Sequence, residues 1–348
     1  MEDLELFNRT HRQIFCYNEK IGHLYIPNLN ARIIHETGGY FVKTNSQGFR
    51  ADFDFTEKKN KKKRIIFFGD SNTAADGVSN HERFSDIIGK YFDAEIFNFA
   101  LSGSGTDQQY LIWENYAKKI EADLIILGVL VENIDRNKVA FRETVNPFNK
   151  KSLLTPKPYF DFNNGKLELK NIPVPRLNEI TSKIDRRQVQ WTIPDNQKYL
   201  YKMVNFLRKN ETIKPLRDSL DPFLDRMRSF AIKTAYQPFT DYKDINSKGY
   251  ILMKNILEKF TLSINKLPVI IFPIPTYHYY VDEAKPIYQK FFKHFHNTSN
   301  NVYVCDPLIK LKNMNYKKRK SLSFKNDKSH FSREGHKILS NILIKEIE

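Results

Sequence analysis

The sequence predicts an α/β fold in which a parallel sheet carries helices on both of its faces. Apolar blocks of strand length alternate with stretches of helical spacing, first from Arg64 to Ile134 and again from Tyr250 onward. The block before Gly69 is short, continuous and apolar, as is typical of a strand buried on both faces. Alternation of strand and helix favours parallel pairing through crossover helices.

Five strands are predicted for this sheet, at residues 65–68, 95–99, 124–131, 269–274 and 302–305. Helices are predicted at residues 82–91, 107–120, 250–260 and 283–295, and a last helix is predicted from Ser332, which has good N-cap chemistry. The predicted core therefore consists of residues 64–135 and 263–348, separated by a long interruption.

The two remaining regions lack this alternation. Residues 1–63 are predicted to be a lead-in with short strands at 24–27 and 40–42, packing against the edge of the main sheet. Residues 136–262 are predicted to be an insertion that caps the sheet. Within it, Asn163-Asn164-Gly165 predicts a hairpin turn between strands at 159–162 and 166–169, and helical spacing appears at 199–207 and 222–234.

Bulk composition predicts a cytoplasmic protein. The longest apolar blocks are too short to span a bilayer, the N-terminus lacks the apolar region of a signal peptide, and two cysteines do not indicate a disulfide scaffold. A formal charge of +16 favours contact with something anionic, including a peripheral membrane surface, although a solvated basic surface is the simpler interpretation. A nucleic-acid partner is not expected, because no recognisable motif accompanies the charge. The oligomeric state is not indicated.

The segment after the first predicted strand contains the first candidate for chemistry. Gly69-Asp70-Ser71-Asn72 follows the apolar block directly. In open α/β sheets, ligands bind at the carboxyl ends of the strands, which places Ser71 where a ligand is expected. Taken alone, the same residue types also suit the capping of the next helix.

A second candidate precedes the last predicted helix. Asp327 and His330 are three residues apart, so one turn can place the carboxylate where it orients the imidazole. An oriented histidine is what a serine nucleophile needs, since it accepts the hydroxyl proton and later returns it to the leaving group. A pair in a surface loop is the alternative.

In combination these motifs resemble the SGNH (GDSL-like) hydrolase superfamily. Gly69-Asp70-Ser71-Asn72 is similar to its first block, the stretch from Asn98 to Gly103 to its second, and Asp327-x-x-His330 to its fifth. Residues 44–50 also resemble a lead-in found in bacterial members, some of which are linked to surface-polysaccharide modification. The resemblance covers residues 40–135 and 265–345, and it leaves out most of the insertion.

The resemblance implies a flavodoxin-like three-layer sandwich with a five-stranded parallel sheet. It also implies Ser71 as nucleophile, His330 as general base and then acid, and Asp327 as the residue that orients His330. The oxyanion hole is expected to consist of the backbone N–H groups of Ser71 and Gly103 and the carboxamide of Asn133.

The third block of the family departs from its pattern in this chain. The family has Gly-x-Asn-Asp, whereas here the strand ends in Val131-Glu132-Asn133-Ile134-Asp135. Asn133 matches the oxyanion asparagine, with a turn residue as the alternative. Glu132 has no family equivalent, and either a contact to substrate or solvation accounts for it.

The expected function is that of a serine-dependent acyl hydrolase or acyltransferase. The resemblance implies that it acts on ester groups, O-acetyl above all, of a carbohydrate or glycoconjugate substrate through an acyl-serine intermediate. An anionic substrate is included in this expectation. No cofactor and no metal is expected: Gln108 interrupts a dinucleotide-type glycine loop, and His278, His294 and His296 lack the spacing of metal ligands. The rival hypothesis is a non-catalytic protein that uses the same scaffold to bind an anionic glycan or another polyanion.

The insertion is expected to select the substrate. Its aromatic residues suit stacking on sugar rings and its arginines suit carboxylate or phosphate groups, although both sets are equally consistent with a small core and a solvated surface. These residues are Tyr159, Phe160, Phe162, Trp191, Tyr199, Tyr201, Arg136, Arg142, Arg186 and Arg187.

Overall fold

A computed structural model describes residues 14–60, 62–145, 152–180, 184–185, 188–190 and 237–348. Its strands are β1 Phe15–Asn18, β2 Gly22–Tyr25, β3 Asn30–Ile33, β4 Tyr40–Lys43, β5 Arg64–Gly69, β6 Glu95–Asn98, β7 Leu124–Leu130, β8 Phe141–Val145, β9 Ser152–Pro156, β10 Tyr159–Asn163, β11 Lys166–Lys170, β12 Val189–Gln190, β13 Val269–Ile274 and β14 Val302–Val304. Its α-helices are α1 Ser71–Ala74, α2 Phe84–Phe92, α3 Thr106–Ile112, α4 Asn133–Arg136, α5 Lys248–Ile264, α6 Tyr277–Tyr280, α7 Gln289–Lys293, α8 Leu308–Lys312, α9 Tyr316–Ser321 and α10 Arg333–Ile347.

The central sheet has five parallel strands in the order β14-β13-β7-β5-β6. Counted along the chain, this is the 2-1-3-4-5 order of flavodoxin-like folds, which reverses beside the first strand. β5 and β13 are buried along their whole length, which explains why they appear in the sequence as continuous apolar blocks. The predicted fold class and the five predicted strands are confirmed.

Helices cover both faces of the sheet. Phe67 and Phe68 are consecutive in β5 and therefore point to opposite faces. The ring of Phe67 lies 5.9 Å from that of Phe84 in α2, whereas the ring of Phe68 lies 5.4 Å from that of Phe260 in α5. α10 packs beside α2, and α3 packs beside α5, which completes the three layers.

Two predicted helices differ from those observed. Of the helix predicted at 283–295, only Gln289–Lys293 is α-helical, and this segment is α7. Pro286 lies inside the predicted span, and proline lacks the N–H that a helix interior requires. The helix predicted at 107–120 is interrupted: α3 ends at Ile112 and a π-helical turn follows at Trp113–Ala117.

The lead-in lies against the edge strand β6. The ring of Phe55 stacks on that of Phe97 at 4.5 Å, and Phe49 meets Phe99 edge to face at 4.7 Å. The lead-in forms two antiparallel pairs, β1 with β2 and β3 with β4. The sequence predicts β2 and β4 but not their partners.

Within the insertion, β10 and β11 form the predicted hairpin, and Asn164 and Gly165 both have positive φ angles in its turn. β8 pairs with β9 and with β12 in a separate three-stranded sheet. α5 begins inside the region predicted as insertion and buries its apolar face in the main core. The helical stretches predicted at 199–207 and 222–234 lie outside the described residues. In the part of the chain that is described, no helix is both long and apolar enough to cross a membrane.

Candidate active site

The candidate nucleophile lies where β5 ends and α1 begins. Asp70 caps α1, its carboxylate accepting a hydrogen bond of 2.9 Å from the N–H of Asn72. Ser71 is the first residue of that helix, and its side chain is largely buried. Gly69 is required because a Cβ at this position would lie 2.1 Å from Oγ1 of Thr73. Asp70 therefore caps the helix, and the next residue, Ser71, is the one that can serve as nucleophile.

Ser71, His330 and Asp327 form a continuous hydrogen-bonded chain. Nε2 of His330 lies 2.9 Å from Oγ of Ser71, and Nδ1 of His330 lies 2.6 Å from Oδ2 of Asp327. The backbone carbonyl of Ser329 accepts a hydrogen bond of 3.3 Å from the side chain of Asn72, which ties the two loops together. The structure thus brings together three predicted residues from opposite ends of the sequence.

The direction of the protons follows from the chemistry of the groups. A carboxylate only accepts hydrogen bonds, so Nδ1 of His330 donates to Asp327. In the neutral imidazole, Nε2 is then the acceptor and faces the hydroxyl of Ser71. This is the arrangement in which a histidine can remove the serine proton as the oxygen attacks a carbonyl carbon.

The expected oxyanion donors lie at the ends of neighbouring strands. Gly103 follows β6 and has a φ of 78°, a conformation that favours glycine. Asn133 is fully buried at the start of α4, and its Nδ2 donates to Oγ1 of Thr106 at 3.2 Å. A carboxamide nitrogen carries two protons, so one remains for another acceptor. The role of both residues as oxyanion donors stays a prediction.

A buried ion pair behind the nucleophile was not predicted. Arg136 Nη1 lies 3.0 Å from Oδ2 of Asp70, and Arg136 Nη2 lies 3.1 Å from Oε1 of Glu132. Burial raises the pKa of Asp70, and the charge of Arg136 opposes that rise. Arg136 is therefore not available for an anionic substrate, because its guanidinium joins two carboxylates and it is 5% exposed. Glu132 is likewise occupied by its ion pair with Arg136. The four-residue spacing between them could have indicated this pair in the sequence.

The lead-in holds the backbone around the site, and sequence reasoning missed this. Arg50 is buried and donates to the carbonyls of Ala74 at 2.6 Å and Ala75 at 2.9 Å, just behind α1. Glu36 accepts hydrogen bonds from the backbone N–H groups of Lys325 at 2.5 Å and Asn326 at 2.7 Å. These bonds fix the segment immediately before Asp327. Residues 44–50 stand out in the sequence only by their resemblance to a bacterial lead-in, and nothing in the sequence indicated a partner for Arg50 or for Glu36.

The insertion also reaches this edge of the sheet. Arg142 in β8 donates to the backbone carbonyl of Gly103. Phe160 is buried in the core, and its ring lies 5.9 Å from that of Tyr110 in α3. Phe162 is partly buried against the same core. For Phe160, of the two alternatives left open by the sequence, the structure therefore supports packing in a core, because the ring packs on α3. Trp191, Tyr199, Tyr201, Arg186 and Arg187 lie outside the described residues.

No protein-family model matches the chain, and no curated protein matches it. Solved structures to which it is similar include a lipase/acylhydrolase from Enterococcus faecalis, with 13% identity, a TM-score of 0.39, and coverage of 82% of this chain and 95% of that one. A member of the lipolytic protein G-D-S-L family from Veillonella parvula has 12% identity, a TM-score of 0.38, and coverage of 81% and 96%. An acetylxylan esterase from Geobacillus stearothermophilus has 12% identity, a TM-score of 0.41, and coverage of 84% and 96%.

Proposed function

We propose that the chain is an SGNH-type serine acyl hydrolase or acyltransferase that works through an acyl group on Ser71. One observation carries the proposal: Oγ of Ser71, the imidazole of His330 and the carboxylate of Asp327 are joined by hydrogen bonds of 2.9 Å and 2.6 Å. If Ser71 only capped a helix, nothing would require a histidine nitrogen within hydrogen-bond distance of its hydroxyl. If Asp327 and His330 were only a surface pair, nothing would require a serine beside them.

The proposed reaction has two halves. Oγ of Ser71 attacks the ester carbonyl carbon while Nε2 of His330 takes its proton, and the oxyanion is held by the N–H groups of Ser71 and Gly103 and by Asn133. When the tetrahedral intermediate collapses, the leaving alkoxide takes the proton back from His330. An acceptor hydroxyl then attacks the acyl-serine by the same steps in reverse. Asp327 keeps its charge throughout and stabilises the imidazolium.

The proposed substrate is an O-acyl group, O-acetyl above all, on a carbohydrate or glycoconjugate. This rests on the resemblance of the motif blocks and of residues 44–50 to bacterial members linked to surface polysaccharides. The formal charge of +16 is consistent with an anionic glycan. Water as acceptor makes the protein a deacetylase, and a sugar hydroxyl makes it an O-acetyltransferase.

The test is turnover of acetylated sugars by the wild type and by Ser71→Ala, with and without an added sugar acceptor. Acetate release that the variant lowers by about 10³-fold or more supports the mechanism, since a triad without its nucleophile retains little activity. Ser299→Ala is the matched control, because Ser299 is exposed on a distant turn. Transfer of acetyl to the added sugar identifies an acyltransferase. Glycan binding without turnover, equal in wild type and Ser71→Ala, supports the non-catalytic alternative instead.

A further inference from the structure

The peptide unit between Ser102 and Gly103 is held by groups from distant parts of the chain. Nε2 of His23 lies 3.0 Å from the carbonyl oxygen of Ser102, and the hydroxyl of Tyr25 accepts a hydrogen bond of 3.2 Å from the N–H of Ser102. Oγ of Ser102 donates to Oδ2 of Asp76 at 2.7 Å. All four side chains are buried. Ser102, the residue before Gly103, is thus held by hydrogen bonds at its N–H, at its side chain and at its carbonyl.

The contact from His23 matters because of which peptide it touches. The carbonyl of Ser102 and the N–H of Gly103 belong to one planar unit, so turning one turns the other. A hydrogen bond accepted at the oxygen also polarises the unit and strengthens the N–H as a donor. Gly103 supplies that N–H as an oxyanion donor in the proposed function, and such donors act only within about 2.7–3.1 Å of the developing charge.

The imidazole of His23 is itself held rigidly. His23 lies in β2 opposite Tyr17 of β1, and its ring meets that of Phe15 edge to face, with 5.1 Å between centroids. A carbonyl oxygen accepts and never donates, so Nε2 of His23 carries a proton. A fixed ring with a proton at Nε2 sets the tilt of the Ser102–Gly103 peptide from one side. On the next peptide, Arg142 of the insertion donates to the carbonyl of Gly103.

We infer that His23 is a positioning residue for the oxyanion hole: through the carbonyl of Ser102 it orients and strengthens the N–H of Gly103. The inference rests on the proposed function and extends it to a residue of the N-terminal lead-in. His23 touches neither Ser71 nor the reacting atoms in this scheme. Its effect belongs to the transition state, in which the oxyanion exists, and not to the binding of the ground-state ester.

The experiment compares three variants of the full chain on a small ester, p-nitrophenyl acetate. His23→Leu removes the hydrogen-bond donor. His23→Asn keeps a polar amide, but its side chain is too short to reach the carbonyl oxygen of Ser102. His23→Gln places an N–H near the position of Nε2 again. We expect kcat to fall about 10-fold to 100-fold in the first two, with KM within about twofold, because small displacements in a catalytic site cost up to about 10² in rate. His23→Gln should recover most of the loss. His81→Leu, at an exposed histidine, is the matched control.

A second readout separates this inference from the proposed function. The rate of covalent labelling of Ser71 by a fluorophosphonate passes through a similar oxyanion and should fall with kcat across the series. If the wild type is not labelled at Ser71, the proposed function is wrong and the inference falls with it. If the wild type is labelled and folded His23→Asn labels and turns over equally fast, only the inference is overturned. Equal losses in all three variants, in proportion to lost thermal stability, would show a merely structural role.

Discussion

The loops at the carboxyl edge of the sheet and the lead-in of residues 14–60 contribute differently to the site. The loops carry the candidate reacting groups, each inside a short motif. The lead-in carries none of them, yet it donates or accepts hydrogen bonds at three of these loops. Chemistry is therefore encoded locally in this chain, whereas the geometry that the chemistry needs is encoded at long range.

Three of the loops are each contacted by a different residue of the lead-in. Arg50 binds the carbonyls behind α1, His23 binds the carbonyl of Ser102, and Glu36 binds the backbone N–H groups before Asp327. These bonds join residues 24, 79 and 290 positions apart. A polar group that bonds backbone can hold a loop without touching substrate, so the lead-in acts as a frame for the site.

The largest effect is expected at Asp70, a motif residue whose carboxylate is supported by Arg136 and not by the lead-in. Arg136→Met leaves a buried carboxylate without its cation, and we expect it to lower the free energy of unfolding by about 3–5 kcal/mol. Urea unfolding measures this. Replacing both partners, in Arg136→Met with Asp70→Asn, should recover a large part of the loss.

The matched control for that prediction is a surface pair. Arg176 and Glu179 form an ion pair with side chains 41% and 52% exposed. Arg176→Met should change the free energy of unfolding by less than about 1 kcal/mol, as is typical of exposed pairs. A similar small effect for Arg136→Met would show that the buried pair does not support the motif.

A smaller effect is expected at His336, a buried residue of α10 whose ring stacks on that of Phe84 in α2. Burial, together with the nearby charges of Arg50 and Arg83, lowers the pKa of His336 to about 3. The unfolded chain binds a proton near the ordinary value of about 6.5 and the folded chain does not. Stability from the neutral imidazole is therefore complete above about pH 6.5 and declines as the pH falls toward 3.

Between pH 7 and pH 5 this decline amounts to about 2 kcal/mol. His336→Asn removes the titrating group while keeping an acceptor near Nδ1, which accepts from the N–H of Phe84 at 3.4 Å. Urea unfolding of the two proteins at both pH values measures the difference. A wild type and variant that lose equal stability between pH 7 and pH 5 would contradict the account of His336.

The smallest effect is expected at Glu36, whose carboxylate supports the loop before Asp327 only through hydrogen bonds from backbone N–H groups. Glu36→Gln keeps one acceptor oxygen and loses the charge, so the segment before Asp327 is held less firmly. We expect kcat to fall about threefold to tenfold with KM unchanged. Glu258→Gln, in a surface pair with Lys254, is the control and should leave kcat unchanged. Unchanged kcat in Glu36→Gln would remove Glu36 from the frame.

The sequence predicts the parts of the site that have a local signature. Ser71 follows a continuous apolar block, Asp327 and His330 share one turn, and the five core strands are visible as apolar blocks. The lead-in contacts have no such signature, because nothing in the spacing of His23 or Glu36 indicates a partner far along the chain. Even within a motif, residue type does not always identify the partner. The charge of Glu132 suggested a contact to substrate or solvent, whereas its partner is the buried Arg136.

In the insertion, the hairpin turn could be predicted from the sequence, whereas the burial of an aromatic side chain could not. The turn at Asn164 and Gly165 follows from residue type, and the hairpin was predicted correctly. Whether Phe160 faced a substrate or the core depended on α3, which packs on it from another part of the chain. An aromatic side chain suits both environments, so the residue type alone does not decide between them.

In the proposed mechanism, Ser71 carries the acyl group between donor and acceptor. The most direct measurement is rapid acid quenching of the enzyme during the first turnover of p-nitrophenyl acetate, followed by peptide mass mapping. The account predicts a single acetyl group on the peptide that contains Ser71, formed with the burst of p-nitrophenol and absent in Ser71→Ala. A product burst with no acetyl on Ser71, or with the acetyl on another residue, would contradict it.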